Sequence, residues 1–298
     1  MKKNILFLMF ATLWMIGCDN TGEPMSYSPN EIRINASMGV TRATLTNFEV
    51  GDCMSLYAVE YNEDVVAEVQ PSGNFINNEA MTYDGTAWVG NHTLYWGENP
   101  CDFYGFYPYR PTGAMKEVYF EVATDQSIPT ADGILGGYEA SDLMWAKVEK
   151  VLPPTADENS SVQLQFNHMM TRVVVDIVRG AQYEGELPDD IAVHLYNTAT
   201  TAVIDWTKGS LKAYSQGGHK TITMRKVDGD TFDAIVVPQF IERRTPLVEI
   251  TMGGIAYLLE TSISLRPGKQ HTFTVTLNTS PDQEKIEISI EGDVGGWE

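Results

Sequence analysis

The residues of this chain that could carry acid–base or metal chemistry are few and isolated. His168 follows Phe166 at the start of an apolar run, without a Ser or Cys nucleophile motif, so we predict a structural histidine rather than a catalytic one. Asp228 and Asp230 flank a glycine, but the other ligands of a calcium loop are absent, and a hairpin turn is expected. Asp293, in a glycine-rich tail, lacks those ligands as well. The sequence therefore predicts neither an enzyme nor a protein with a metal or another cofactor.

Two cysteines, Cys53 and Cys101, lie in the part of the chain expected to fold. In an oxidising compartment they could be joined by one disulfide. Both occur in apolar, strand-like stretches, so two buried free thiols are the alternative. No Cys or His pair has the spacing of zinc ligands, which argues against a metal cluster.

The first eighteen residues have the pattern of an export signal. Lys2 and Lys3 precede an apolar run of about 12 residues, which is too short to cross roughly 30 Å of hydrocarbon and is typical of a secretory signal. Gly17 and Cys18 close this run. A small residue followed by cysteine resembles the lipobox of bacterial lipoproteins, in which the cysteine becomes the acylated first residue. An ordinary signal with an incidental Cys18 is the alternative.

The composition indicates an acidic exported protein. The chain has 40 Asp and Glu against 20 Lys and Arg, a formal charge of −20. Such a surface lacks the basic footprint that phosphate backbones require, so nucleic acid is excluded as a partner. Roughly 280 residues would remain after signal cleavage, enough for two medium-sized domains.

The chain after residue 18 has the rhythm of an all-β protein. Short apolar or alternating runs recur between Gly, Pro, Asn and Asp residues, and long segments with a period of 3.6 are absent. The run 143–151 is predicted to be a strand, which a Pro-Pro pair follows. Strands at this spacing favour Greek-key β-sandwiches. A boundary at residue 166 would give domains at 43–165 and 166–298, and a boundary after Val178 is the alternative.

Two segments at opposite ends of the chain carry similar apolar rows. Within 31–41 every second residue is apolar, the pattern of a strand with one buried face; the row is Ile32, Ile34, Ala36, Met38 and Val40. It ends at Thr41-Arg42-Ala43, where Arg42 is an isolated basic residue in a polar context. Near the other terminus the apolar residues are Ile286, Ile288 and Ile290. These rows could simply be first and last strands, or one could replace the other between molecules.

A dense set of aromatic residues lies in the middle of the first half. Its members are Trp88, Tyr95, Trp96, Phe103, Tyr104, Phe106, Tyr107 and Tyr109. Large aromatic side chains of this kind dominate cores and also interfaces. We predict core packing for the set, with exposure of some members for glycan or partner contact as the alternative.

Several of these features together resemble the fimbrillins, the Mfa-like subunits of type V pili. Besides the lipobox, the resemblance rests on ordered motifs at 32–43, 48–52, 54–58, 95–96, 102–108, 142–146 and 166–175. They span most of the first half, whereas the second half matches only in the rhythm of its strands. The resemblance implies two transthyretin-like β-sandwich domains in tandem and an outer-membrane lipoprotein precursor that is assembled into a surface fimbrium serving cell adhesion.

The resemblance also implies a mechanism of assembly. Fimbrillin precursors are tethered by lipid and cut after an arginine by an Arg-specific protease, and a strand from another subunit then fills the opened groove. Arg42 and Ala43 match the cleavage site, and 19–42 matches the tether with its removable first strand. The segment 285–291 is the candidate donor.

Two other functions remain open at this point. An anchor or accessory subunit of the same pilus would keep its lipid and its first strand. A glycan-binding surface lipoprotein would need no cleavage at Arg42 and would present its aromatics as an exposed platform.

Overall fold

The structure, a computed structural model, describes residues 30–39, 48–155 and 161–278 and the backbone of 288–296. Almost all regular structure in these residues is β, and the helix present, α1 (Gly137–Ser141), has five residues. The all-β prediction is therefore confirmed. Within the same residues, no helix has the length and apolar character needed to span a bilayer.

The strands follow the chain in two groups. The first group is β1 (Ile34–Met38), β2 (Cys53–Asn62), β3 (Val65–Val66), β4 (Ile76–Tyr83), β5 (Trp88–Gly90), β6 (Cys101–Tyr107), β7 (Val118–Glu121), β8 (Met144–Val151) and β9 (Val162–His168). The second group is β10 (Thr171–Arg179), β11 (Ala192–Ala199), β12 (Thr201–Asp205), β13 (Ser210–Ala213), β14 (His219–Thr223), β15 (Arg225–Asp228), β16 (Thr231–Val236), β17 (Gln239–Met252), β18 (Ile255–Leu265), β19 (Lys269–Leu277) and β20 (Ile288–Gly296).

The largest sheet has the order β1-β9-β8-β6-β2-β4-β5, with β3 paired to β2. Its centre is β6, in which all seven residues are buried, because the apolar and aromatic run at 101–107 suits a strand covered on both faces. At one edge, β1 pairs with β9 in parallel. The predicted strand at 143–151 is confirmed as β8.

Three further sheets are described, in the orders β15-β16-β10-β19-β20, β14-β11-β17-β18 and β13-β12-β7. In the last of these, β7 from the first half of the sequence pairs antiparallel with β12 from the second. The predicted boundary at residue 166 falls inside β9, which belongs to the largest sheet, and the following strand β10 belongs to another. The change of sheet thus lies between β9 and β10, while the division into two domains stays a prediction.

The two faces of the largest sheet contribute to two different hydrophobic cores. Alternate residues of β2 show this clearly: Met54 and Leu56 belong to one core, which we call the first-sheet core, and Tyr57 and Val59 to the other, the larger core. The larger core also contains the apolar residues of the second half. Phe106 of β6, for example, stacks on Trp206 with ring centroids 4.6 Å apart.

Of the two possibilities that the sequence leaves open for Cys53 and Cys101, the structure has the two free thiols. Cys53 begins β2, whereas Cys101 pairs with Glu60 towards the other end of that strand. At about 3.4 Å per residue these positions are roughly 24 Å apart, but the Cα atoms of a disulfide lie within about 7 Å. Cys101 is fully buried, and burial raises the pKa of its thiol to about 12.

The remaining sequence predictions concern side-chain roles. His168 contacts Asp142, with Nδ1 2.8 Å from the carboxylate oxygen, as befits a structural residue. Gly229 and Asp230 form the turn between β15 and β16, which confirms the predicted hairpin. Of the eight aromatic residues, Tyr95 and Tyr109 are exposed and the other six are buried.

Candidate functional site: the groove of the first strand

The first strand is held by backbone hydrogen bonds to β9. The parallel register places Ile34, Ala36 and Met38 beside the buried residues Val162, Leu164 and Phe166 of β9, in that order. At one end the Val162 amide donates to the Arg33 carbonyl at 2.8 Å, and at the other the Gly39 amide donates to the Phe166 carbonyl at 2.9 Å. The pairing thus covers residues 162–166 of β9.

The residues just before β1 are held on a second side. The Ile32 amide donates to the Leu94 carbonyl at 2.9 Å, and the Trp96 amide donates to the Asn30 carbonyl at 3.0 Å. Glu31 and Tyr95 form an antiparallel bridge between these bonds. The segment 30–38 therefore pairs first with residues 94–96 and then with β9. We call the surface formed by β9, 94–96 and Phe48 the first-strand groove.

The side chains of the segment alternate as the sequence predicts. Ile32 and Ile34 are 5% and 6% exposed, and Ala36 and Met38 are half-buried against the first-sheet core. The intervening Asn35 is exposed, and its amide donates to the side-chain oxygen of Gln163 at 2.9 Å. The predicted apolar row is confirmed as far as Met38, whereas Val40 lies outside the described residues.

The floor of the groove is built from aromatic rings and one glycine. Phe166 is fully buried, and its ring lies so close to β6 that a Cβ on Gly105 would be 2.5 Å from Cζ. Phe48 packs on Phe166 with centroids 5.6 Å apart and on Trp88 at 4.9 Å. The first strand consequently lies on a tightly packed apolar surface.

The segment 30–38 closes an edge of the largest sheet that would otherwise be open. Without segment 30–38, β9 would present unpaired backbone groups beside Val162, Leu164 and Phe166, an edge that pairs readily with an added strand. Because side chains alternate with a period of two, an incoming strand must supply apolar residues at every second position. Nothing in the arrangement requires catalysis.

Comparison with known proteins identifies the family of this fold. The model of the fimbrillin-like family matches residues 41–297 of the chain. The chain belongs to the fimbrillin-like family. A relative named "Putative fimbrium subunit Fim1C", from Bacteroides uniformis, is 24% identical over 315 residues, which cover 99% of this chain and 97% of that protein.

Solved structures show the same fold. The crystal structure of a "putative cell adhesion protein" from Bacteroides uniformis matches with a TM-score of 0.65 at 21% identity, covering 92% of this chain and 100% of that one. A second protein with that description, from Bacteroides ovatus, matches with a TM-score of 0.66 at 18% identity, covering 91% and 98%.

Other predicted site residues of this fimbrillin-like chain are placed only in part. Cys18, Arg42, Ala43 and Ile286 lie outside the described residues. The backbone of the candidate donor is described from Ile288 onwards, as β20, and it reaches beyond the predicted end at 291. It pairs antiparallel with β19 of its own chain, and the register sets Ile288 opposite Leu277 and Ile290 opposite Val275.

Sequence reasoning missed the partners of the first strand. Neither β9 nor the segment 94–96 was expected to hold it, although the alternation of Val162, Leu164 and Phe166 with polar residues was a signal that could have been used. A strand with one apolar and one polar face can pair with any sheet edge that offers an apolar face. The sequence pattern alone therefore does not select its partner strand.

Proposed function

We propose that this chain is a structural subunit of a type V fimbrium that is assembled by protease-triggered exchange of its first strand. The observation that carries the proposal is the position of β1. It lies at the edge of the largest sheet, β9 is its one partner among the described strands, and its apolar side chains belong to the first-sheet core. Membership of the fimbrillin-like family and the fimbrium-subunit name of the relative support the proposal.

The precursor begins at the membrane. Cys18, acylated after signal cleavage, tethers the chain to the outer membrane, since lipid chains supply about 0.8 kcal/mol per buried CH₂. While the tether is attached, segment 30–38 covers the groove and prevents stray pairing at β9. Burying Ile32 and Ile34 contributes about 1.5–3 kcal/mol each to this closed state.

Cleavage after Arg42 then releases the segment 19–42 and leaves Ala43 as the new first residue. Arg42 follows Gly39, the last described residue after β1, by three positions, so the cut severs the strand from the body without touching its paired residues. An Arg-specific protease is the partner for this step.

The donor is the strand of another subunit that carries Ile286, Ile288 and Ile290. Its three apolar residues at alternate positions match the number and spacing of Ile34, Ala36 and Met38. The donor strand must leave β19 before it can be given away, because β20 is paired there. Subunits joined in this way form a fimbrium on the cell surface, and that fimbrium serves adhesion.

The test is the N-terminal sequence of protein taken from the cell surface. An N-terminus at Ala43 is expected, and Arg42→Ala should retain acylated Cys18 and yield no polymers. Arg243→Ala, which removes an exposed arginine elsewhere, is the matched control. Acylated Cys18 on assembled wild-type protein would contradict the proposal and indicate an anchor subunit.

A second pair of variants tests the donor. Ile288→Asp places a charge within the apolar row, where burying it unpaired is costly, whereas Ser289→Asp places the same charge on the neighbouring, polar position. Only the first should abolish SDS-resistant polymers of folded, cleaved protein. Normal polymers from Ile288→Asp would show that the donor lies elsewhere in the chain.

A further inference from the structure

A second concave site lies on the opposite face of the largest sheet from the first-strand groove. It is a cavity of about 230 Å³. Most of its lining is aromatic or aliphatic, with one cationic side chain, and includes Phe106, Phe120, Ile204, Trp206, Tyr119 and Arg110. Phe106 and Trp206 are buried and stacked, whereas Tyr119 is 61% exposed and its ring packs on Tyr214 with centroids 5.1 Å apart. The cavity is thus a ring-sized pocket with a mostly apolar lining.

The cation of this pocket lacks a counter-ion. The Arg110 guanidinium donates one hydrogen bond, from Nη2 to the Ala140 carbonyl at 2.9 Å, and its carbon atom lies 4.3 Å from the centroid of the Phe120 ring. Its Nε is buried without a partner. Among the residues that the structure describes, no carboxylate pairs with Arg110, although the chain has twice as many acidic as basic residues.

The energetics of this arginine favour an anionic ligand. A guanidinium carries five donors in a planar fork that fits a carboxylate, and a largely buried charge is costly until it is paired. Consistent with this cost, burial lowers the pKa of the Arg110 guanidinium. The position is therefore suited to a carboxylate that the protein does not itself supply.

The size and polarity of the lining determine the rest of the ligand. Pockets for drug-sized ligands have volumes of about 300–1,000 Å³. This cavity is smaller, so it holds a single ring with a short substituent. The two hydroxyl groups of the lining are already engaged: Ser55 donates to the Arg110 carbonyl at 3.4 Å, and Thr112 donates to the Ala114 carbonyl at 2.6 Å. A polyhydroxylated sugar would find few partners, whereas an apolar ring would pack well.

We propose that this cavity binds a small carboxylic acid built on an apolar ring, with the carboxylate on Arg110 and the ring against Trp206 and Phe120. This site is separate from the first-strand groove, so it does not depend on whether the chain polymerises. It would give the subunit a receptor function for small aromatic or alicyclic acids.

The experiment uses the full chain after the signal with three probes in ligand-observed NMR: phenylacetate, its neutral analogue 2-phenylethanol, and glucuronate. Phenylacetate should bind, and the neutral analogue should bind at least about tenfold more weakly, because a hydrogen bond to a charged group is worth about 1.5–3 kcal/mol. Glucuronate should not compete. Equal binding of the first two probes, or stronger binding of glucuronate, would overturn the proposal.

Variants locate the site. Arg110→Gln should abolish phenylacetate binding, and Arg110→Lys, which keeps the charge but not the fork, should weaken it. Trp206→Leu should weaken binding several-fold, whereas Phe103→Leu, which changes a buried aromatic residue of the first-sheet core, should not. If Arg110→Gln does not fold, the Trp206 and Phe103 variants and the neutral analogue decide the question, and equal effects of these two variants would refute the proposed site.

Discussion

Truncating Ile34 is the most direct test of how firmly the first strand is docked. Ile34 is 6% exposed and lies beside Val162, itself 1% exposed. Replacing a buried isoleucine by alanine costs about 2–5 kcal/mol. We expect a value near 2 kcal/mol for Ile34→Ala, because an edge strand can shift to fill part of the space more easily than a central one.

The measurement is the free energy of unfolding in urea of the chain after residue 18, followed by tryptophan fluorescence. Trp88 and Trp96 lie in the first-sheet core, so they report on the region that the substitution loosens. Asn35→Ala is the matched control on the same strand. It removes an exposed side-chain hydrogen bond, and surface changes of this kind stay within about 0.5 kcal/mol.

The test compares the losses in the free energy of unfolding of Ile34→Ala and Asn35→Ala. A loss of about 2 kcal/mol for Ile34→Ala with little change for Asn35→Ala supports docking through the apolar row. Equal losses of about 2 kcal/mol would mean that the polar face of the strand contributes as much as the apolar row. A loss below about 0.5 kcal/mol for Ile34→Ala would refute the burial on which the groove rests.

Three further predictions follow from buried positions. Gly105→Ala puts a Cβ 2.5 Å from the Phe166 ring, so it should lower the free energy of unfolding in urea by about 1–3 kcal/mol. Gly113→Ala, which has open space around it, should change this free energy little. Burial lowers the pKa of His271 below 6.5, so the unfolded chain binds a proton first as the pH falls. The free energy of unfolding should therefore decrease below pH 6.5, and His271→Gln should reduce this dependence in urea titrations. Cys101, fully buried with a thiol pKa raised to about 12, should resist Ellman's reagent until the protein unfolds, and rapid labelling of it in the native state would contradict the structure.

The first strand shows what a sequence pattern can and cannot predict. The alternation at 31–41 is a local property, and it correctly predicts which side chains of Ile32 to Met38 are buried, whatever covers them. The partner β9 lies about 128 positions further along the chain, and parallel pairing over such a distance depends on the rest of the sheet. Local periodicity carries no information about that choice.

The sequence left the disulfide open for a related reason. Composition and compartment make Cys53 and Cys101 compatible with a bond, and each does lie in a strand as predicted. Whether the strands bring two thiols together depends on register, and the antiparallel pairing of β2 with β6 sets Cys101 opposite Glu60. Register comes from the packing of the whole sheet, so spacing in the sequence could not have supplied it.

The two halves of the chain are connected more closely than a tandem arrangement requires. The strand β7 completes a sheet with β12, and Arg225 of the second half pairs with Glu139 of α1 at 2.8 Å. Trp145 of β8 donates from its indole nitrogen to the Trp206 carbonyl at 2.9 Å. A boundary sought in composition or in loops cannot detect such links, because they join elements far apart in the sequence.

This connection bears on how a subunit could lose a strand and stay folded. The apolar residues of segment 30–38, from Ile32 to Met38, all pack in the first-sheet core and none in the larger core. The links through β7 and Trp145 involve the larger core, on the other face of the sheet. We therefore expect loss of the first strand to uncover one edge and one core and to leave these links in place. The pairs that β9 would keep are those of His168 and Asn167 with Met144 and Trp145 of β8.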